Sequence, residues 1–166
     1  MSIAKNFERM FAGGFAVCVA LLGMIAGHEG YSEEAYLDSA GVPTVGYGTT
    51  LGVKMGDTIT REMAEALLMR DAEFAGEAVK RCVKAPLYQH EYDAYVSLTY
   101  NIGSGAFCRS TLVKKLNAGD YTGACNELPR WVYAGGKRLR GLEIRREKER
   151  QMCLYGIHGE AIGWPP

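Results

Sequence analysis

The chain carries no net charge, since Lys plus Arg and Asp plus Glu each total 19 of its 166 residues. It therefore lacks the overall basic signature of a nucleic-acid binder. Histidine is scarce, with three scattered copies at His28, His90 and His158. No HExxH, CxxC or zinc-finger spacing occurs, so no metal site is expected. Internal repeats and low-complexity tracts are also absent.

What is present fits one globular domain of ordinary size: 48% apolar residues, 23% charged residues and enough length for a sizeable core. The even charge hides an asymmetry. Residues 27–108 hold 12 acids and 6 bases, whereas residues 109–150 hold 11 bases and 5 acids. An acidic half beside a basic half suits a two-lobed molecule facing a charged polymer, and solvated helix faces would give the same count.

From Met10 to Gly27 the chain reads MFAGGFAVCVALLGMIAG, without a single charge. As one helix it would span about 27 Å, near the minimum for a bilayer core. Lys5 and Arg9 precede it and Glu29 follows, so the positive-inside rule keeps the N-terminus cytoplasmic and exports the rest. Its glycines and alanines make a weak anchor, able to insert and later leave. Three readings stand: a retained export anchor, a cleaved signal peptide, or a core helix of a soluble protein.

Five cysteines stand at Cys18, Cys82, Cys108, Cys125 and Cys153. Export to an oxidising space favours bridges among the last four, and four cysteines allow three connectivities. Cys82 with Cys108 and Cys125 with Cys153 is the favoured pairing, because each pair brackets one helical stretch. The alternative is that all five are buried thiols in a reduced protein.

Residues 35–48 read as a small hairpin around Ser39-Ala40-Gly41. Helical signals then dominate. Thr60 is a candidate N-cap for a helix to about Arg81, and a second runs from about Gln89 to Ile102. Ser110 caps a short helix, another runs from Asp120 to about Leu128 before Pro129, and a basic helix spans about Gly141 to Tyr155. The Ala134-Gly135-Gly136 stretch reads as a loop, and Gly156 to Pro166 as a loose tail. The fold class is thus α+β: a small N-terminal hairpin lobe joined to a larger helical lobe, with an apolar helix in front.

Glu29, Asp38 and Thr44 are the candidate chemistry. Glu29 abuts the apolar segment, where desolvation would favour the protonated form that a general acid needs. Asp38 and Thr44 are placed on the two hairpin strands, close enough to hold an attacking water between them. Two carboxyls in unlike settings are what glycoside hydrolysis requires. Glu33 and Glu34 compete for the same part, and a helix-terminal acid and a turn acid are the bland alternatives.

The run HEGYSEEAYLDSAGVPTVGYGTT resembles the active-site signature of the phage-type lysozymes, glycoside hydrolase family 24. Further matches are PLYQHEYDAYVSLTYNIGSGAF from Pro86, STLVKKLNAGDY from Ser110 and PRWVYAGGKRLRGLEIRREKER from Pro129. The resemblance implies a lysozyme-like fold and a cofactor-free muramidase. Such an enzyme cleaves the β-1,4 bond between N-acetylmuramic acid and N-acetylglucosamine in bacterial peptidoglycan. Glu29 would be the acid, Asp38 the carboxylate that activates water or stabilises the cation, and Thr44 the holder of that water. Tyr47, Gly48 and Asn101 would line the substrate cleft by position. Arg145 and Arg146 match a basic block of the family, where an ion pair with a nearby acid is expected.

The charge-free span before the catalytic Glu resembles the signal-arrest-release endolysins of tailed phages. That likeness implies residues 1–27 as a tether to the host inner membrane and residues 28–166 as the muramidase domain. The enzyme would sit on the periplasmic face of that membrane, then enter the periplasm on release and lyse the host. Its partners would be peptidoglycan strands and, through residues 10–27, the membrane, with no nucleic acid and a monomeric working form. Some relatives block the site with a cysteine near the triad, and none occurs here between residues 19 and 81. A lytic transglycosylase and a non-catalytic wall-binding module are the competing functions.

Overall fold

A computed structural model describes residues 9–38 and 41–155 of the chain. The expectations for Lys5, for the Ser39-Ala40 turn, for His158 and for the Gly156–Pro166 tail fall outside the described residues.

The apolar segment is not one helix from Met10. A 3-10 turn, Ala12–Gly14, is followed by extended chain, and helix α1 covers Val19–Glu29. Two physical causes divide it. Gly13 and Gly14 are poor helix formers, and the Cys18 Sγ accepts from the Leu21 amide as an N-cap. Phe15 meanwhile turns inward, 5% exposed, and its ring lies 5.1 Å from that of Tyr92. Among the described residues no helix is long and apolar enough to cross a membrane.

Strands β1 (Ser32–Leu37) and β2 (Pro43–Gly46) form an antiparallel hairpin with Tyr36 opposite Thr44 and a bulge between Ser32 and Tyr36. Asp38 thus lies just past β1, in the turn rather than in the strand. Its Oδ1 accepts from the Val42 amide at 2.8 Å while its own amide donates to the Val42 carbonyl at 3.0 Å, which closes the turn.

The helical lobe follows the cap chemistry of the sequence. Thr60 caps α2 (Arg61–Cys82) by accepting from the Met63 amide, and α3 (Gln89–Ile102) runs through the centre with Glu91 to Thr99 all buried. Gly103 does not end the helical region. It turns the chain into α4 (Ser104–Arg109) at φ 83°. Ser110 caps α5 (Thr111–Asn117) and Asp120 caps α6 (Tyr121–Cys125). Pro129 sits inside a 3-10 turn, Leu128–Arg130, instead of marking a plain stop. The expected glycine loop is a tight hairpin, β3 (Tyr133–Ala134) and β4 (Lys137–Arg138), before α7 (Arg140–Tyr155).

One apolar core joins α1, the hairpin and the helical lobe, from Leu21 and Ile25 through Val45 to Leu98, Phe107 and Leu116. The structure closes two disulfides, Cys82–Cys108 and Cys125–Cys153, and leaves Cys18 free. The first ties the end of α2 to α4, and the second ties α6 to α7.

Candidate active site

Glu29 is the last residue of α1. The chain leaves it through Gly30, whose φ of 73° allows an abrupt turn into the hairpin. Its side chain is 21% exposed. The carboxylate does not face an apolar wall, as its neighbours in sequence suggested. Its Oε1 accepts from Nη1 of Arg145, a residue of α7 that is 3% exposed. The other oxygen, Oε2, faces Gly48, where a Cβ would sit 3.4 Å away. The φ of 94° at this position favours glycine, and a Cβ there would lie in contact with the carboxylate.

Behind Glu29 lies a buried charge cluster. Arg145 also donates through Nε to Glu149 Oε1 at 3.2 Å and through Nη2 to the Ser97 carbonyl at 3.2 Å. Ser97 Oγ donates to the same Glu149 oxygen at 2.6 Å. Arg146 reaches the Asn101 side-chain oxygen at 2.8 Å, and its Nη1 lies 3.0 Å from Glu149 Oε2. That last approach is an ion pair in distance without an aligned hydrogen bond, so its attraction is Coulombic. Burial pushes the Glu149 carboxyl up and lowers the Arg146 guanidinium to about 10, which still leaves Arg146 charged at neutral pH. The expected ion pairing of Arg145 and Arg146 is present, and one of the partners is the candidate acid itself.

Thr44 is 3% exposed and its hydroxyl donates to the Val42 carbonyl at 2.9 Å. Only its lone pairs remain for a further partner. Asp38 is half-buried. Thr44 stands opposite Tyr36 in the hairpin, and Asp38 lies two residues beyond Tyr36, just past the strand.

A groove of about 400 Å³ opens beside Gly48, lined further by Leu51, Arg70, Asp71, Phe74 and Tyr100. Of the three residues expected to line it, Gly48 does. Tyr47 is 7% exposed and belongs to the core, with its hydroxyl held by Arg61 at 3.1 Å, while its carbonyl accepts from the Tyr100 hydroxyl at 2.8 Å. Asn101 stands outside the groove lining and partners Arg146. Sequence reasoning missed Leu51 and Phe74, which are 83% and 78% exposed at the groove. Large apolar side chains in solvent beside a concavity mark it as a binding surface, but in sequence they look like core. The Thr49 hydroxyl donates to Asp71 at 3.0 Å and Arg70 pairs with Asp71 at 2.7 Å, which stiffens the groove wall. Burial, followed by the charge of Glu29, pushes the Tyr100 phenol well above its ordinary range, so it stays a neutral donor.

Among the described residues no cluster of His, Cys, Asp and Glu could hold a metal ion. The Glu29 carboxylate, next to Gly48 of the groove lining, is a group capable of acid–base chemistry there.

Known proteins resemble this chain in sequence and in fold. The family model described as phage lysozyme matches residues 26–149. The SAR-endolysin of Enterobacteria phage P21 is 40% identical over 150 residues, covering 87% of this chain and 91% of that one. The endolysin from Escherichia coli O157:H7 phage FAHEc1 superposes with a TM-score of 0.76 at 41% identity, over 86% of this chain and 95% of that one. The P1 phage endolysin Lyz matches in two forms. Its active form gives a TM-score of 0.74 at 31% identity, over 87% of this chain and 88% of that one. Its secreted inactive form gives 0.58 at 26% identity, over 84% and 96%. The chain belongs to the phage lysozyme family and is a muramidase-type hydrolase of the bacterial cell wall.

Proposed function

We propose that the protein hydrolyses the β-1,4 bond between N-acetylmuramic acid and N-acetylglucosamine, with Glu29 and Asp38 as the two working carboxyls. The observation that carries this reading is the placement of Glu29: partly open, beside Gly48 at the groove, and held from behind by a buried arginine. Glu29 gives its proton to the leaving glycosidic oxygen as the C–O bond breaks. Asp38 takes a proton from the incoming water, whose oxygen forms the new bond at the anomeric carbon. Thr44, its own proton engaged by Val42, serves this water as an acceptor. Attack from the face opposite the leaving group inverts the anomeric centre.

Residues 1–27 form the tether and residues 28–166 the enzyme, which works as a monomer. The chain is exported, held at the periplasmic face of the host inner membrane, and becomes active in the periplasm on release. The SAR-endolysin name of the phage P21 relative supports this reading. So does a fold more like the active than the secreted inactive form of the P1 enzyme.

Glu29→Gln should abolish wall lysis while export and folding persist; lysis by that variant removes Glu29 as the acid. Mass spectrometry of the digest should find hydrolysed muropeptides, one water heavier than the 1,6-anhydro products of a transglycosylase. Asp38→Asn should bind wall without lysing it, which a binding module would not distinguish from the parent chain. Dissipating the membrane potential should free the chain into the periplasm; a chain that stays membrane-bound and inactive sinks the regulated release.

A further inference from the structure

Arg145 divides its three guanidinium nitrogens among three partners: Nη1 donates to Glu29, Nε to Glu149 and Nη2 to the Ser97 carbonyl. An arginine that meets one carboxylate alone often grips both of its oxygens through two parallel N–H bonds. With Nε and Nη2 engaged behind, Glu29 is held through Oε1, and its Oε2 faces Gly48 at the groove. Glu149 itself does not line that groove and is 0% exposed. Every partner it has is a donor. The Ser97 hydroxyl at 2.6 Å and Arg145 Nε at 3.2 Å share Oε1, and Arg146 Nη1 lies 3.0 Å from Oε2. A proton on Glu149 finds no acceptor among these partners, so they hold it as the anion against the burial that pushes its carboxyl up. Two buried guanidinium groups and one buried carboxylate therefore stand behind the acid.

We propose that Glu149 is a positioning residue for wall hydrolysis: it engages Arg145 from behind and offsets Arg146, so that Glu29 meets one guanidinium N–H and one net positive charge. The proposal rests on the muramidase reading above. A general acid must keep its proton until the glycosidic bond breaks, and a guanidinium beside a carboxyl favours loss of that proton. One arginine aims Glu29 at the groove. A second, uncompensated one would favour the anion further and leave less of the acid form. The other titratable groups near Glu29 do not supply this balance. Tyr100 of α3 and His28 of α1 both stay neutral near pH 7. Burial, followed by the neighbouring charges, pushes the phenol above its ordinary range and the imidazole down to about 4. Asp71 of α2, beyond Tyr100, is paired with Arg70. Lys148 is exposed on α7, where its charge acts on His28. The charge balance behind the acid is thus set within α7, by Glu149 against Arg145 and Arg146.

Three variants of the full chain separate charge from packing. Glu149→Gln keeps an oxygen for Ser97 and Arg145 but leaves two positive charges behind Glu29. Arg146→Gln keeps Glu149 paired with Arg145 and leaves no net charge there. The double variant removes one charge of each sign and restores the parent's balance. Peptidoglycan hydrolysis is measured across the pH range over which circular dichroism shows each variant folded. The reading is kcat/KM, whose pH limbs report groups of the free enzyme. The limb on which activity falls as pH rises should move down by about one pH unit in Glu149→Gln. It should move up by about as much in Arg146→Gln and return to the parent's position in the double variant. A purely structural defect lowers the height of the profile and leaves that limb in place. Should Glu149→Gln fail to fold for want of its buried counter-charge, the shift in Arg146→Gln and its reversal in the double variant carry the test. Limbs that stay at the parent's position in every folded variant, that move the same way in both single variants, or that stay displaced in the double variant overturn the role of Glu149. A parent chain that hydrolyses no wall at any pH overturns the functional reading and this role with it, whereas an active parent with immobile limbs overturns this role alone.

Discussion

Arg145 and Glu29 stand 116 positions apart in the chain, and the guanidinium of one holds the carboxylate of the other at the edge of the groove. The same guanidinium serves Glu149 and the Ser97 carbonyl. Three partners in a fixed fan require a planar, multi-donor cation, which lysine is not. Arg145→Ala leaves the buried Glu149 with one guanidinium fewer and should cost about 3–5 kcal/mol in urea denaturation. Arg145→Lys should retain more of the stability yet reduce wall hydrolysis by at least about tenfold, because Glu29 loses its fixed direction. Equal activity in the lysine variant would show that charge alone suffices.

Gly48 and Gly46 make a paired test of space beside the acid. Both have positive φ, 94° and 65°. A Cβ on Gly48 would meet Glu29 Oε2 at 3.4 Å, whereas one on Gly46 would meet the Ala64 Cβ at 3.0 Å. Both alanine variants should lose about 1–2 kcal/mol of stability from backbone strain. Gly48→Ala should in addition lower kcat well beyond what its unfolded fraction explains. Gly46→Ala, whose new methyl group presses only on α2, should retain the activity of its folded molecules.

The parts of this fold legible in sequence are those decided by neighbours. Thr60, Ser110 and Asp120 announce their helices because capping is a contact between a side chain and an amide three residues on. The hairpin and the family signature are equally local. What sequence left unread depends on distant partners. The break in the apolar segment has local causes in Gly13, Gly14 and the Cys18 cap, but the seat of Phe15 on Tyr92 is a contact that no periodicity reveals. Tyr47 looked like a cleft residue but packs inward, because Arg61 and Tyr100 supply polar partners for its hydroxyl and carbonyl. Glu29 looked apolar in its surroundings because the helix before it is greasy, yet its partner comes from α7. Leu51 and Phe74 needed the groove to be seen before their exposure meant anything.

The two disulfides should contribute separately. Cys82–Cys108 closes a loop of 26 residues and Cys125–Cys153 one of 28, and the chain-entropy model assigns each about 3–4 kcal/mol. The bridges share no element, the first joining α2 to α4 and the second α6 to α7, so their effects should add. Paired Ser variants of each bridge, compared by urea denaturation with and without reductant, test this. Reductant should reduce the parent chain to the stability of the variant lacking all four cysteines. A loss confined to one bridge would mean that the other constrains nothing in the unfolded chain.

Two groups lining the pocket beside α1, Asp93 and His28, make stability depend on pH in opposed ways. Burial pushes the Asp93 carboxyl from 3.8 up to about 6, against the hydrogen bonds from Gln89 and Cys18. Its folded pKa is raised, so between about pH 4 and 6 the folded chain holds the proton that the unfolded chain releases, and stability falls as pH rises. A gap of about two pH units corresponds to about 3 kcal/mol at neutral pH. His28, lining the apolar pocket on the same flank of α1 as Asp93, runs the other way. Burial and the nearby charges of Arg145, Lys148 and Arg146 lower it from 6.5 to about 4. The folded chain then binds fewer protons over that window, and stability is lost as pH falls. In the parent chain the two slopes oppose each other between pH 4 and 6. Asp93→Asn should expose the His28 slope alone: more stable than the parent by up to about 3 kcal/mol at pH 7, and losing that margin on acidification. His28→Gln should expose the Asp93 slope, becoming more stable as pH falls. Urea denaturation at four pH values between 4 and 7 separates them, and parallel profiles for both variants and the parent would remove Asp93 and His28 as the titrating pair.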